Sequence, residues 1–541
     1  MIRNLRRLAD TEFDVLVVGA GIYGATIAWE ATQRGLGVAL IDRGDFGGGT
    51  SLNSLKTVHG GLRSLQRGNL LDMREFVRER RAFLRIAPHL VEPLRFVVPT
   101  YPRMNRSREL MRIALALNDL IARDRNDGLE LSRCLGASGV ISRDEMLRLF
   151  PGLSAAGVTG GAAWYEAQMY SPDRILLAFV QSAVARGAAA ANYVGVTRFL
   201  RHADRVLGVS ARDELTGDSF DIHALVTINA AGGWAPALTS SVFGHRPPAH
   251  VQLSKALNLV TRLPAPACAI GDAAAGQFLF CVPWRGIAAF GTFHAPHTGS
   301  ADDLTARECD ATAFLRLVNR AFPDARVRLE DVTLVHRGLL PATGVGENGR
   351  VHLSKVSYIR DHRADGITGL ITVVGVRFTT ARATAERTID AVGRALGRSL
   401  NASRTAVTPL VGGDIPDVGK FFAHARFVGG SIEASTLERL GRSYGTSYPR
   451  VLSIIEHDAS LARPLSTTCA VTHAEVLHAV REEMAARLSD VVLRRTEAGS
   501  AAHPGHDALD ASAAIMASEC GWDRSRTAAE IEAVNERFRL V

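Results

Sequence analysis

Residues 55–64 read LKTVHGGLRS, which places Lys56, His59, Gly60, Gly61 and Arg63 within ten positions. An arginine next to backbone that carries no side chains can hold an anion bidentately where another group approaches the chain closely. The same residues also suit a turn whose arginine pairs with a surface carboxylate. The stretch alone does not choose between the two, so the choice falls to what precedes it.

Asp14 is followed by the apolar run VLVV at 15–18, the pattern of a buried parallel strand. Next come Gly19-Ala20-Gly21-Ile22-Tyr23-Gly24, an apolar-periodic helix ending at Gly35, a second strand over 38–41, and Asp42 at its end. Strand, G-x-G-x-x-G, helix, strand and acid in this order make a dinucleotide-binding unit. Gly19 allows the tight turn, Gly21 lets backbone approach a pyrophosphate, and Gly24 lets helix and strand pack closely. The helix start offers free amides and a positive dipole end to the pyrophosphate, and Asp42 can accept from a ribose hydroxyl. This fingerprint does not separate NAD from FAD. Gly344-Val345-Gly346-Glu347-Asn348-Gly349 repeats the pattern, but a strand-like run follows it, and Asn348-Gly349 reads as a hairpin turn.

At 541 residues the chain exceeds one ordinary core, so two or three domains are expected. Hydrophobic residues at 47% and charged residues at 22% are globular values. The net charge of +8 favours anionic partners, but the basic residues lie scattered without aromatic interleaving, which argues against nucleic acid. Six cysteines without a C-x-x-C suggest reduced thiols, with neither a metal site nor a disulfide framework. The basic N-terminus lacks the apolar segment of a secretory signal, and no apolar run is long enough to span a bilayer. A cytoplasmic protein is expected. Residues 103–125 carry six arginines and an apolar stripe through Leu110, Ile113, Leu117 and Ile121. Such a helix can lie on the inner face of the cytoplasmic membrane, or pack on a core with its charged face in solvent.

Beyond Asp42 the chain runs RGDFGGGTSLNSLKTVHGGLRSL instead of entering further βα units. Here it resembles the FAD-dependent, aerobic-type glycerol-3-phosphate dehydrogenases, within the wider glycine oxidase and D-amino-acid oxidase flavoprotein group. Gly44-Asp45-Phe46, Thr50-Ser51, Ser54, Lys56 and His59-Gly60-Gly61-Leu62-Arg63 carry the likeness. It continues through Ala87-Pro88-His89-Leu90, Asn229-Ala230-Ala231-Gly232 before Trp234, and Gly375-Val376-Arg377-Phe378-Thr379-Thr380. Tyr444-Gly445-Thr446, Ala474-Glu475-Val476 and 488–496 (LSDVVLRRT) extend it to the C-terminal cap of that family.

The resemblance implies an α/β chain: a Rossmann-like FAD-binding domain with an interleaved mixed-sheet substrate domain over 1–402, and a C-terminal helical cap domain over 403–541. The run 403–419, rich in Gly and Pro, reads as the linker, and AEVLHAVREEMAARLSDVVLRR (474–495) as helix. FAD would be held by Gly19, Gly21, Ile22, Tyr23, Gly24, Asp42, Arg43, Thr50, Ser51, Ser54, Lys56, His59, Gly60, Gly61, Leu62, Gly232, Arg377, Phe378 and Thr379. In this reading Gly60 and Gly61 let the chain pass close to the flavin ring, and Arg63 stands at its reacting face. The implied reaction oxidises sn-glycerol 3-phosphate, or a related secondary alcohol, by hydride transfer to flavin N5, with a quinone as final electron acceptor. Arg63, Arg377, Lys255, His294 and His336 are the implied catalytic residues, with His59 a further candidate base. A phosphorylated or other anionic alcohol and a membrane surface are the expected partners, and a homodimer is left open.

The match departs from the family pattern around the substrate. Ser64 stands for a tyrosine, Leu340 for an arginine, Arg377 for a lysine, Asn258 for a histidine, and His294 for the aspartate of G-T-T-D. A lost cation weakens binding of a dianion unless a neighbour such as Arg337 or His336 replaces it. A flavin oxidoreductase for another hydroxy acid, sugar derivative or amine is therefore a second reading, and a flavin-binding scaffold or sensor a third.

Overall fold

In the computed structural model, residues 1–541 are described except 66, 104–105, 152, 244–251, 347–350 and 429–431. The apolar run at 15–18 lies in strand Glu12–Val18, which pairs in parallel with Val38–Ile41 on one side and Ser219–Asn229 on the other. Ala189–Ala191 extends the sheet beyond Val38–Ile41, and Leu370–Val374 lies in parallel beyond Ser219–Asn229. Successive side chains of a strand point to opposite faces. Val15 and Val17 accordingly join the core under the helices Ile22–Gln33, Pro172–Ala185 and Ala381–Leu396. Leu16 and Val18 enter a separate cluster with the antiparallel hairpin Val194–His202/Arg205–Asp213. Each fully buried aliphatic side chain here contributes roughly 1.5–3 kcal/mol. The result is a doubly covered parallel sheet whose strand ends converge on Gly19 and Asp42.

A second, ten-stranded sheet is threaded through the first. Val332–Val345, Gln252–Pro264, Ile287–His297 and Gln277–Trp284 pair antiparallel in succession. One parallel pair, Ala269–Ala274 with Val91–Thr100, makes the sheet mixed. The apolar runs FVVPT (96–100), ALVTINA (224–230), ALNLVT (256–261), GQFLFCVPW (276–284), IAAFGTF (287–293), DVTLVH (331–336) and ITVVGV (371–376) each contribute to a strand of these two sheets. Residues 347–350, which include the second half of the second glycine pattern, lie outside the described residues. The strands flanking them pair antiparallel, Val345 opposite Val351, as a hairpin requires.

The C-terminal part is helical except for the small hairpin Pro464–Ser466/Cys469–Thr472. The run 474–495 is not one helix. His473–Glu482 ends there because Met484 takes a left-handed φ of 55°. Glu483 is drawn instead into a 2.6 Å ion pair with Arg174 of the flavin-domain helix. Asp490 then accepts from the amides of Ala486 and Arg487 and caps a new short turn. The run 403–417, up to the helix that begins at Val418, is irregular, as its glycines and prolines suggest. It is nonetheless fastened: Thr405 donates to Glu30, the Leu410 amide to the Ile86 carbonyl, and the Val411 amide to Ser182.

Candidate active site

The dinucleotide turn is closed by its glycines. Gly19 has φ 98°, and a methyl group on Gly24 would sit 1.7 Å from the Gly19 carbonyl oxygen. Gly21 caps the helix Ile22–Gln33 without a side chain, and the Ile22 amide donates to Ser51 Oγ at 2.9 Å. Asp42 accepts from the amides of Ala20 (2.6 Å) and Gly44 (2.8 Å). Burial pushes its carboxyl up to about 6 against those two bonds. Tyr23 Oη donates to the Arg377 carbonyl at 2.8 Å and accepts from the Val376 and Arg377 amides at 3.1 Å, which ties the helix start to the 375–377 turn.

These residues open into one cavity of about 2130 Å³. It runs from Gly19, Gly21 and Asp42 past Thr50, Ser51 and Ser54 to Gly61, Leu62 and Arg63, with Gly232, Phe378 and Thr379 along it. Free amides at a helix start, a carboxylate at the next strand end and a long cavity leading away fit a dinucleotide with an extended second moiety, as FAD has. Ile22, Tyr23, Arg43, His59 and Arg377 line the cavity as well. Arg43 also stacks on Trp234 and pairs with Asp302.

Five of the expected site residues are not brought to its wall. Gly24 acts through close packing alone. Gly60 faces away from the cavity: its amide donates to Glu166, and a side chain there would strike the Arg80 guanidinium, which pairs with Glu166 at 3.1 Å. A buried ion pair thus accounts for the lack of a side chain at this position. Gly61 does line the cavity, with φ 85° against Phe76. Lys56 has φ 65°, which turns its side chain inward to the Leu52 carbonyl (3.0 Å), over the Trp284 ring. Lys255 points to the other face of its strand and pairs with Asp310. His336 is buried, with Nδ1 3.3 Å from Asn53 Oδ1. Arg337 does not line the cavity either, so neither neighbour replaces the cation missing at Leu340, which does line it.

At the far end three arginines converge. Arg63 lies 4.9 Å from the Phe278 ring centroid and forms no ion pair among the described residues. Burial lowers its pKa, helped by repulsion from Arg67 and Arg377. Arg377 stacks on Phe76 and approaches Asp72 at 3.8 Å, and Asp72 accepts from Ser64. Arg67, which sequence reasoning passed over, lines the same end. His294 faces these cations, and burial with the charge of Arg63 brings its pKa down to about 4. His59 is lower still, at about 3, from burial and then Arg63, Arg377 and Arg80. Both imidazoles are neutral near pH 7. Asn258 donates to the Asn53 carbonyl at 2.9 Å and accepts from Thr292 at 2.8 Å, a framework role in place of titration.

A doubly wound sheet, a helix start with free amides and a long cavity leading from it to a cluster of arginines and neutral histidines define a dinucleotide-dependent oxidoreductase. The sequence matches the FAD dependent oxidoreductase family over residues 14–391 and the C-terminal domain of alpha-glycerophosphate oxidase over residues 403–527. A glycerol-3-phosphate dehydrogenase of Synechocystis is 28% identical, over 99% of this chain and 98% of its own length. The mitochondrial glycerol-3-phosphate dehydrogenase of Bos taurus is 30% identical, over 96% of this chain and 72% of its own. The solved structure of a glycerol-3-phosphate dehydrogenase from Bacillus halodurans complexed with FAD superposes with a TM-score of 0.75 at 25% identity, covering 98% of this chain and 95% of that one. The chain belongs to the glycerol-3-phosphate dehydrogenase family of FAD-dependent oxidoreductases.

Proposed function

We propose that this protein oxidises sn-glycerol 3-phosphate to dihydroxyacetone phosphate at the arginine-lined end of the cavity and passes the electrons to a quinone. The observation that carries the reading is the convergence of Arg63, Arg67 and Arg377 where the nucleotide cavity ends. A buried dianion needs such partners, and two arginines that pair with no carboxylate among the described residues supply them. FAD, when bound, supplies the acceptor for the hydride from C2. Arg63 and Arg67 hold the phosphate and so fix the alcohol in one orientation. His294 takes the hydroxyl proton. Its Nδ1 is enclosed, which leaves Nε2 as the nitrogen able to meet a ligand. Phosphate binding neutralises the charge of Arg63 and so raises the basicity of this imidazole when it is needed.

The helix Arg108–Ile121 supports a membrane-surface location and a lipid-borne acceptor. Ile113 is 67% and Leu120 66% exposed. Leu110, Ile113 and Leu117 of the same helix line the cavity. Among the described residues no helix is long and apolar enough to cross a membrane. An apolar lip at the cavity, flanked by arginines, suits a lipid interface. The presence of Leu340 favours a second reading, in which the substrate is another anionic alcohol or an amine. Anaerobic bleaching of the purified yellow protein separates them. Rapid bleaching by glycerol 3-phosphate supports the first reading, and bleaching only by other alcohols or amines overturns it.

A further inference from the structure

The glycine-rich loop 45–53 (DFGGGTSLN) forms one wall of the FAD cavity. Within it Ser51 meets the start of the nucleotide helix, and Thr50 exchanges two hydrogen bonds with the backbone of Leu339. Gly47, Gly48 and Gly49 give this loop unusual conformational freedom, so holding one shape is entropically costly. Both of its ends are held by arginines from the C-terminal region. Asp45 accepts from Arg494 Nε at 2.5 Å and from both terminal nitrogens of Arg495 at 2.7 Å, with all three side chains buried. Asn53 accepts from Arg537 Nη2 at 2.8 Å. The other terminal nitrogen of Arg537 is buried without a partner, and no carboxylate pairs with this guanidinium among the described residues. An arginine so enclosed is costly and needs a positional reason.

Two further residues of the same region reach the cavity itself. Arg487 and Ser489 line it, and the Arg487 guanidinium lies 5.0 Å from the centroid of the Tyr193 ring. Tyr193 is joined through its amide to the Gly44 carbonyl, and the next amide, of Val194, donates to the Asp42 carbonyl at 2.7 Å. Arg487 therefore stands beside the Asp42 end of the cavity, where the ribose and adenine belong. Among the described residues no carboxylate pairs with it.

We propose that the C-terminal region is a working part of the FAD site: Arg487 and Ser489 wall the adenosine end, and Arg494, Arg495 and Arg537 pin the glycine-rich loop so that it meets the cofactor in one conformation. This rests on the FAD assignment and adds to it a role in holding the cofactor for a region outside the nucleotide-binding fold. Pre-forming a loop lowers the ordering cost of binding and slows release.

The test is the rate of flavin release from the full-length holoenzyme, followed by the rise in flavin fluorescence on dilution, for Arg487→Ala and Arg537→Gln. Thermal unfolding of each apo chain serves as control, and Arg487→Lys as the conservative variant. We expect release about tenfold faster for each variant, unchanged apo melting, and near-normal retention with lysine. Wild-type release rates in both variants overturn the proposal, as does faster release matched by an equal loss of apo stability. If Arg537→Gln does not fold, Arg487→Ala decides alone. A wild-type chain that takes up no flavin defeats the FAD assignment itself, which is a distinguishable result.

Discussion

Arg63→Gln tests the substrate end of the site through two effects that need not travel together. Among the described residues its guanidinium has aromatic neighbours, Phe278 and Phe280, and no carboxylate, so its charge awaits an anion. Loss of one partner from a desolvated, charge-assisted pair costs about 2–5 kcal/mol. That is a fall in kcat/KM of between about 30-fold and about 5,000-fold. Arg67 remains to hold the phosphate, which places the expected value in the lower part of that range. The loss should appear as a higher KM in anaerobic single-turnover reduction, because a phosphate held equally in ground and transition states contributes to binding more than to the limiting rate. The second effect is on pH. The charge of Arg63 helps keep His294 near 4, and in the proposed mechanism the neutral imidazole is the base. Activity falls as pH drops through that value, and removing the cation moves the acid limb of kcat/KM to higher pH. An unchanged KM with an unmoved acid limb would refute the placement of both residues.

Gly24→Ala sets a methyl group against the Gly19 carbonyl, so helix and strand must separate; the expected outcome is a chain with strongly reduced flavin content after reconstitution, read from the visible spectrum. His89 and His336 are buried and neutral, His89 held down to about 3 by burial and then Arg174 and Arg133. Their folded pKa values lie below the unfolded value, so the unfolded chain binds more protons, and stability present at pH 7 is lost as pH falls below about 6.5, by at most ~1.4 kcal/mol per pH unit for each; chemical denaturation across pH 7 to 4 measures the slope. Ile113→Glu with Leu117→Glu should abolish sedimentation with anionic vesicles without altering flavin content. Leu340→Arg, which adds a cation to the cavity wall, should lower the KM for an anionic alcohol several-fold, measured by steady-state reduction of a dye.

The nucleotide unit was legible because every part of it is local: the turn, helix start and strand end lie within thirty residues, and their spacing states their contacts. The substrate end was less so. Lys255 looked catalytic by position, but its strand neighbours Ala256 and Asn258 line the cavity while Lys255 pairs with Asp310. Lys56 was misplaced because a single left-handed residue reverses a side chain, and nothing in its neighbours announces φ 65°. Gly60 owes its smallness to Arg80 and Glu166, residues distant in sequence, so its neighbourhood could not be read from the motif. The domain-joining arginines went unnoticed for the same reason: Asp45 and Arg495 are 450 positions apart.

The departures from the family pattern make sense together as a redistribution of charge. Ser64 is buried and its hydroxyl donates to Asp72, which in turn approaches Arg377. Arg377 is thereby braced and partly neutralised by Asp72 on one side and by Phe76 on the other, so it positions the 375–379 turn more than it offers a free charge. The cations left for a ligand are Arg63 and Arg67. With Leu340 at the cavity wall, two positive charges unpaired among the described residues stand at its end, enough in the proposed reading to balance a phosphate dianion, and a third that would lower the pKa of His294 further is absent. The altered residues are not set apart from the nucleotide residues: the Arg377 turn is tied to Tyr23 at the helix start, and Asn258 donates to the Asn53 carbonyl of the glycine-rich loop.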